Sequence, residues 1–551
     1  MKKLRRGVTT KHAGVRNLRG ELTSTAERAE TLAEYFEKVQ WQVRFPELLP
    51  TASDALGDVL PVCTGDIQES EVCEALRKLK VGKAAGPDQM PPEFWKSLAY
   101  SPGARSELVK LCQHCWVEKS IPSTWRRANV VLIFKKGDAT LPANYRPISL
   151  LAVGYKVLAS ILHARIIAGG SESRMRSTQF GFRPGRGTSQ ALMIARRMID
   201  AAHVCDNGGL HLVMLDWAKA FDRLRPDSMR VALLRFGLPT EICDMISAIY
   251  AERYFAIVDH SGTSLEHPQP AGIAQGCPLS PYLFIAVQTV MLHDVFKDAP
   301  LAAEPPNVIT QDLLYADDTL LMSQHPGNLE SLLARIVDAG RQYGMELNWD
   351  KTVHMPIFSC ARVATPDGDN IKTVREAVYL GGLLTCDGKA TREITRRLGE
   401  AGRLFDALFD VWKHASITRS RKLDIYRTCV LSKLLYSLES LWLLQADRCR
   451  LDAFHCRNLR RILRIPPSFV SRVSNKVVLE TGKSRALSDL LLDRQKSLYI
   501  AISRQPHGSL IKHVVCEADG RPTCWQRRRR RGRPRQMWSQ AVYKLVHMAA
   551  Q

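Results

Sequence analysis

Two short apolar runs that end in aspartate constrain this chain more than any other feature of it. LHLVMLD (210–216) reads as a strand closing on Asp216. LLYADDTLLM (313–322) sets Asp317 and Asp318 between two apolar arms, the pattern of a β-hairpin with acids at its tip. About one hundred residues separate the two. Neighbouring strands that each offer an aspartate at the same end make a cradle for a hard divalent cation such as Mg²⁺. Nucleotidyl transfer needs two such ions about 3.5–4 Å apart, to activate a 3′-hydroxyl and to stabilise the leaving pyrophosphate. Successive side chains diverge in a tight turn, so Asp317 is expected to dominate the metal contact over Asp318.

The charge balance points the same way. The 551 residues hold 78 Lys and Arg against 55 Asp and Glu, a net charge of +23. That excess predicts a polyanionic partner, nucleic acid before an acidic membrane surface. No run approaches 18 consecutive apolar residues, so no transmembrane helix is expected. Fourteen cysteines are too sparse for a disulfide scaffold. Cys112 and Cys115 lie in an apolar, helix-like context and read as buried thiols; no zinc site is assigned. The first twenty residues carry seven Lys or Arg and no acid, and lack the apolar core of a secretory signal.

Other periodicities place the remaining elements. EVCEALRKL starts an amphipathic helix with Val72, Ala75, Leu76 and Leu79 on one face, and Gly86-Pro87-Asp88 marks a turn. NVVLIF (129–134) reads as a strand. From Thr391, Ile394, Leu398, Ala401, Phe405, Leu408 and Trp412 recur at helical spacing. Helices follow at about 420–445 and 447–464, the latter rich in arginine, and 521–535 holds eight arginines in fifteen residues. Its Arg531-Gly532-Arg533-Pro534 has the core of an AT-hook and also fits a nuclear localisation signal, but a general RNA- or DNA-binding tail is the favoured reading over a true AT-hook.

Taken in order, these blocks resemble a reverse transcriptase of the non-LTR (LINE-type) retrotransposons. The match runs through KVGKAAGPDQMPPEF (80–94), IFKKGDATLPANYRPISLL (133–151), STQFGFRPGRGT (177–188), VMLDWAKAFDRL (213–224), AGIAQGCPLSPYLF (271–284), LLYADDTLLM (313–322), GMELNWDKT (344–352) and VYLGGLL (378–384). The resemblance implies an α+β right-hand polymerase: fingers, a palm with an antiparallel sheet, and a helical thumb, followed by a basic helical C-terminal region. The expected divisions are a basic leader at 1–70, fingers and palm at 71–385, thumb at 386–470 and the basic region at 471–551.

The same resemblance implies Asp216, Asp317 and Asp318 as catalytic ligands of two Mg²⁺ ions. It implies Phe221 as the ring under the nucleotide sugar that excludes a 2′-hydroxyl, making the product DNA. Arg183, Lys135, Gln275, Gly276 and Lys351 fall near the incoming nucleotide, although Lys135 and Lys351 read equally as surface lysines. Arg146 serves either phosphate or fold. Leu380, Gly381 and Gly382 correspond to a primer grip. Arg396, Arg397, Arg460, Arg461, Arg464, Arg531 and Arg533 are expected to track nucleic acid.

The implied partners are an RNA template, a DNA primer or target and dNTPs, with no membrane and an open oligomeric state. The implied location is the nucleus, with a cytoplasmic ribonucleoprotein stage. About 70 residues precede the match, too few for the endonuclease usual in such proteins, so target nicking is expected to come from elsewhere. Two alternatives stand: a group II intron-type reverse transcriptase with maturase activity, and an inactive remnant that only binds nucleic acid.

Overall fold

The computed structural model describes residues 14–52, 54–205, 209–297, 299–525 and 535–548. Numbered along the chain, the strands are β1 (Arg127–Phe134), β2 (Tyr145–Leu151), β3 (Leu210–Leu215), β4 (Tyr254–Asp259), β5 (Gly262–Thr263), β6 (His267–Pro268), β7 (Asp312–Tyr315), β8 (Asp318–Ser323), β9 (Val353–Ile357), β10 (Lys372–Thr373), β11 (Glu376–Tyr379) and β12 (Gly382–Thr385). The chain divides into two compact units, each assembled from three stretches. The first takes Met1–Pro184, Asp216–Pro300 and Ser331–Asn348; the second takes Gly185–Leu215, Leu301–Glu330 and Trp349–Gln551. Helices and a largely antiparallel sheet in each bear out the α+β expectation.

In the first unit the sheet runs β2-β1-β4-β5, with β6 also on β4. β1 is antiparallel to β2 and parallel to β4. Part of the expected leader belongs to this unit's core, so the expected boundary at residue 70 has no counterpart in the packing. The helix Arg28–Tyr35 runs into a π-turn at Phe36–Gln40. Its Leu32, Ala33 and Phe36, with Trp41, bury against Val130, Tyr145, Phe255 and Ile257. Trp41 meets Phe255 edge-on at 4.5 Å, and fully burying such a ring contributes about 3 kcal/mol. Arg28 enters this core only with partners: it donates to Asp259 at 2.6 Å and to the Tyr145 hydroxyl at 3.1 Å. Helix Glu69–Lys78 buries Val72, Ala75 and Leu76 as its spacing predicts, but it ends before Leu79. Cys112 and Cys115 face inward on the helix Pro102–Glu118, and burial pushes their thiols up to about 12 and about 11.

In the second unit the sheet runs β10-β9-β3-β8-β7. β3 pairs antiparallel with both β8 and β9, and β7–β8 is the predicted hairpin. β11–β12 is a separate hairpin. The helical part has its own core, with Phe405, Tyr426, Leu434, Leu451, Phe454 and Leu459 among its members. The expected continuous helix from Thr391 through Trp412 is two helices, Thr391–Ala407 and Phe409–Lys413. The break folds Trp412 back onto Phe405, stacked at 4.9 Å, where its indole donates to the Phe405 carbonyl at 2.7 Å. The expected helix at 420–445 is likewise interrupted, by a π-segment at Tyr426–Leu431. The arginine-rich helix spans Gln445–Leu463, and Arg464 closes it in a left-handed conformation. No helix among the described residues is long and apolar enough to cross a membrane.

Candidate functional site

The β7–β8 turn has two residues. Tyr315 pairs with Asp318, leaving Ala316 and Asp317 at the tip. Ala316 has φ +57°, a left-handed conformation that costs an L-residue with a Cβ about 1–2 kcal/mol. Asp317 is half-buried and Asp318 exposed. Register sets the height of the neighbouring strand: Thr319, just after Asp318, lies opposite Leu215, the last residue of β3. Asp216 is the next residue in the chain. Tyr379, buried beside this hairpin, donates to the Leu313 carbonyl at 3.4 Å. Burial first, then Asp318 and Asp312, raise its pKa.

In the first unit, Asp216 opens a segment bound backbone to backbone to the GMELN block. The Asp216 carbonyl accepts from Asn348 N at 2.7 Å, and Ala218 N donates to Glu346 at 2.8 Å. Trp217 lies under Gly340, where an added Cβ would come within 2.9 Å of its ring. Lys219 then takes φ +58° and starts a single helical turn, Ala220–Arg223. That turn sets Phe221 half-buried and stacked on Phe284 at 4.3 Å, with Phe182 edge-on at 6.1 Å. The ring of Phe221 is thus braced on one face by protein.

Gln275 and Gly276 do not open the following helix, which begins at Ser280 with Pro281 in its first turn. They form a loop on β2: Ser149 N donates to the Gln275 carbonyl at 3.0 Å. Gly276 has φ +138°, and a Cβ there would lie 2.4 Å from the Ser149 carbonyl oxygen. The close approach that requires this glycine is therefore made by the protein's own backbone. Lys135, Arg146 and Lys351 are exposed.

Several arginines expected to hold phosphate hold the fold. Arg183 is buried; its guanidinium donates to Glu172 at 2.9 Å and to the carbonyls of Glu172, Arg176 and Gln179. It pins the loop that precedes it, in the block where the resemblance implies a nucleotide contact. Arg397 and Arg460 are engaged within the fold likewise. Arg397 is buried on Glu393 at 2.8 Å, and Arg460 donates to the carbonyls of Pro466 and Val473 and to Asn475. Arg396 is committed to Glu393 and Glu400. Arg461 pairs with Asp406 at 2.9 Å across an exposed surface, and Arg464 is exposed. Arg531 and Arg533 lie outside the described residues.

Arg396 and Arg397 serve the expected primer grip instead. Leu380 and Gly381 form the two-residue turn of β11–β12, with φ +47° and +74°. The Leu380 carbonyl accepts from the Tyr436 hydroxyl at 2.8 Å. The Gly381 carbonyl accepts from Arg396 at 2.8 Å and from Arg397. Gly382 sits in the ladder, where a Cβ would press on Leu192 at 3.0 Å. Beneath lies Glu393, 1% exposed: burial alone would raise its pKa, but bonds from Arg396 and Arg397 outweigh this and lower it. Arg196, inside the apolar helix Thr188–Val204, donates to the Ser437 carbonyl and to Ser440; burial pulls its pKa down to about 10.

Sequence reasoning passed over Glu393, Tyr436 and Arg196. The arginine pair within QALMIARRMIDAA was the available signal, because charge within an apolar helix face needs a partner. Asp222 was missed too. Fully buried, it accepts from Gln40 at 2.9 Å, Trp41 at 3.2 Å and Gln275 at 3.1 Å. Its signal was a second acid six residues after Asp216.

The carboxylates at the strand ends are hard oxygen donors of the kind Mg²⁺ takes. Among the described residues no group of three or more His, Cys, Asp or Glu is gathered to hold a metal ion.

Comparison with known proteins adds a separate line of evidence. Residues 133–393 match the family described as reverse transcriptase (RNA-dependent DNA polymerase). The chain is 28% identical over 392 residues to the Retrovirus-related Pol polyprotein from type-2 retrotransposable element R2DM of Drosophila melanogaster, covering 68% of this chain and 35% of that protein. It is 26% identical to the Retrovirus-related Pol polyprotein from type-1 retrotransposable element R2 of Popillia japonica, covering 68% and 53%. It is 28% identical to the Probable RNA-directed DNA polymerase from transposon X-element of Drosophila melanogaster, covering 46% and 28%. The chain thus spans between about a quarter and a half of the length of these curated relatives.

Proposed function

From a chain that carries a reverse transcriptase domain of the non-LTR retrotransposon kind, we propose an RNA-directed DNA polymerase that extends a DNA 3′-end on an RNA template. The observation that carries this is the hairpin tip: Asp317 and Asp318 are held where β8 meets the end of β3, and Asp216 follows that end directly. Polymerases of this family work with divalent metal ions. Here Asp216, Asp317 and Asp318 would hold two Mg²⁺, which when bound polarise the 3′-hydroxyl and neutralise the pyrophosphate. Phe221, braced by Phe284, excludes a 2′-hydroxyl, so dNTPs are the substrates. Gln275 contacts the incoming nucleotide, with exposed Lys135 and Lys351 near its phosphates. The Leu380–Gly381 turn supports the primer end, and the helices after Thr391 act as the thumb. Arg461 and Arg464 remain as phosphate contacts, which are salt-sensitive and independent of sequence. Fingers, palm and thumb are the arrangement assigned to these parts, and the nucleus is the assigned site of action.

Primer extension on poly(rA)–oligo(dT) with Mg²⁺ tests this. Wild-type chain is expected to synthesise DNA. Asp317→Asn is expected to lower the rate by at least about a thousandfold, with template–primer affinity within about twofold. Extension that survives the substitution overturns the metal assignment. Salt-sensitive RNA binding without any extension would favour the inactive remnant.

A further inference from the structure

Asp222 is a buried carboxylate in a place where an isolated charge is costly. Its carboxylate accepts from three side chains. Gln40 Nε2 reaches Oδ2 at 2.9 Å, and Trp41 Nε1 reaches Oδ1 at 3.2 Å. Gln275 Nε2 lies 3.1 Å from Oδ1 and 3.2 Å from Oδ2. Lys219, three residues earlier, adds favourable charge and is itself tied to the Tyr35 hydroxyl at 2.9 Å. Tyr35, Gln40 and Trp41 all belong to the N-terminal segment buried in the first unit's core. The backbones are joined as well. Ile273 N donates to the Phe221 carbonyl at 2.7 Å and Gly272 N to Leu224 at 2.8 Å. A Cβ on Gly272 would strike the Asp222 carbonyl at 2.5 Å.

Burial raises the Asp222 pKa, and the Trp41 and Gln275 bonds, with the charges of Lys219 and Lys135, oppose that rise; a carboxylate held ionised in this way only accepts. It therefore fixes which way round the amide of Gln275 sits: the NH₂ faces Asp222 and Oε1 points away. We propose that Asp222, held by Gln40 and Trp41, is a positioning residue that sets the hydrogen-bonding edge Gln275 presents to the incoming nucleotide. The N-terminal segment thereby takes part in nucleotide selection from behind the site. This inference rests on the reading of Gln275 and Phe221 as nucleotide contacts.

Asp222→Asn is the informative change. The Trp41 indole can only donate, so it retains the remaining oxygen. The new NH₂ then occupies the Oδ2 position, beside the NH₂ of Gln275. Gln275 then keeps Oδ1 as acceptor but faces an NH₂ where Oδ2 had been, so its amide is no longer fixed one way round. Gln40 can turn to match, because its own Oε1 is buried without a hydrogen-bond partner, so the variant is expected to fold.

Single-nucleotide incorporation on an RNA template tests the proposal with wild type, Asp222→Asn, Gln275→Ala, the double variant and Trp41→Phe, each checked by thermal melting. Asp222→Asn and Gln275→Ala are expected to raise the dNTP KM about tenfold, with kcat within about threefold and template–primer affinity unchanged. The double variant is expected to be no worse than Gln275→Ala, since both changes remove one interaction. Trp41→Phe, remote from any nucleotide, should raise KM about twofold to threefold. Wild-type KM in both folded Asp222→Asn and Trp41→Phe, with KM raised in Gln275→Ala, overturns the role of Asp222 and leaves the nucleotide site standing. Wild-type KM in Gln275→Ala removes the nucleotide role of Gln275, and the inference falls with it. Multiplicative losses in the double variant also overturn it, because Asp222 would then act on the fold. Should Asp222→Asn not fold, Trp41→Phe and Gln40→Leu decide: wild-type KM in both overturns the proposal.

Discussion

The second unit holds two hairpin turns built alike and supported differently. Each has two residues, each follows a tyrosine, and each puts a residue with a Cβ into the left-handed region: Ala316 in one, Leu380 in the other. The β7–β8 turn is positioned by its sheet, through the register of β8 on β3, and what it offers is side chains. The β11–β12 turn belongs to a two-stranded ribbon, a unit marginally stable alone. Side chains from elsewhere hold both its carbonyls: Tyr436 on Leu380, Arg396 and Arg397 on Gly381. One turn projects chemistry from a rigid base; the other is itself the object that other residues hold in place. Similar local sequence, Tyr-Ala-Asp-Asp and Tyr-Leu-Gly-Gly, thus says little about which support a turn needs.

The comparison can be broken at several points. The largest effect is expected at the first tip, where Asp317→Asn should abolish extension while leaving the melting temperature within a degree or two, since the sheet holds the turn. At the second turn the order reverses. Glu393→Ala leaves Arg397 buried without its carboxylate and should cost about 3–5 kcal/mol of stability, read as a lower urea midpoint, with extension falling as a consequence. Acid should weaken the supports of both turns. Burial, and then His211, pulls His354 on β9 down to about 4; burial pulls His455, behind the helices, down to about 4. Both unfold to ordinary histidines near 6.5, so the unfolded chain takes up protons first. Their stabilisation is complete above about pH 6.5 and drains as pH falls toward 4. His354→Gln with His455→Gln should flatten that limb in a melting-temperature profile. The smallest effect belongs to Tyr436→Phe, which removes a hydroxyl bonded to the Leu380 carbonyl and to Thr188, together worth about 1–2 kcal/mol. A several-fold loss of extension with little loss of stability would show that the turn's position matters more than the bonds.

What was legible in the sequence follows the same division. Strand period and terminal acids gave β3, the β7–β8 hairpin and the order of the blocks, because alternation and turn chemistry are local. The fold contacts of the arginines were not legible because a guanidinium's partner is not local. Arg183 and Arg460 look like phosphate contacts in a basic chain, yet each donates to backbone carbonyls of the loops beside it. Trp412 fitted the helical spacing of 391–407, and the stacking of its ring on Phe405 prevailed over that spacing. Asp222 was hidden for a related reason. Its partners Gln40 and Trp41 lie about 180 residues away, in a stretch whose charge suggested a loose leader.

The chain crosses between its two units at residues 184, 215, 300, 330 and 348. During synthesis the first unit cannot close until residue 348 has emerged, and by then β3, β7 and β8 of the second are already waiting for β9. Neither unit can be inherited or discarded without breaking the other. A cut anywhere between 185 and 348 leaves two incomplete pieces, not one shorter protein. Loss of length within that stretch is therefore not graded: such a chain is indivisible in a way that a string of consecutive domains is not.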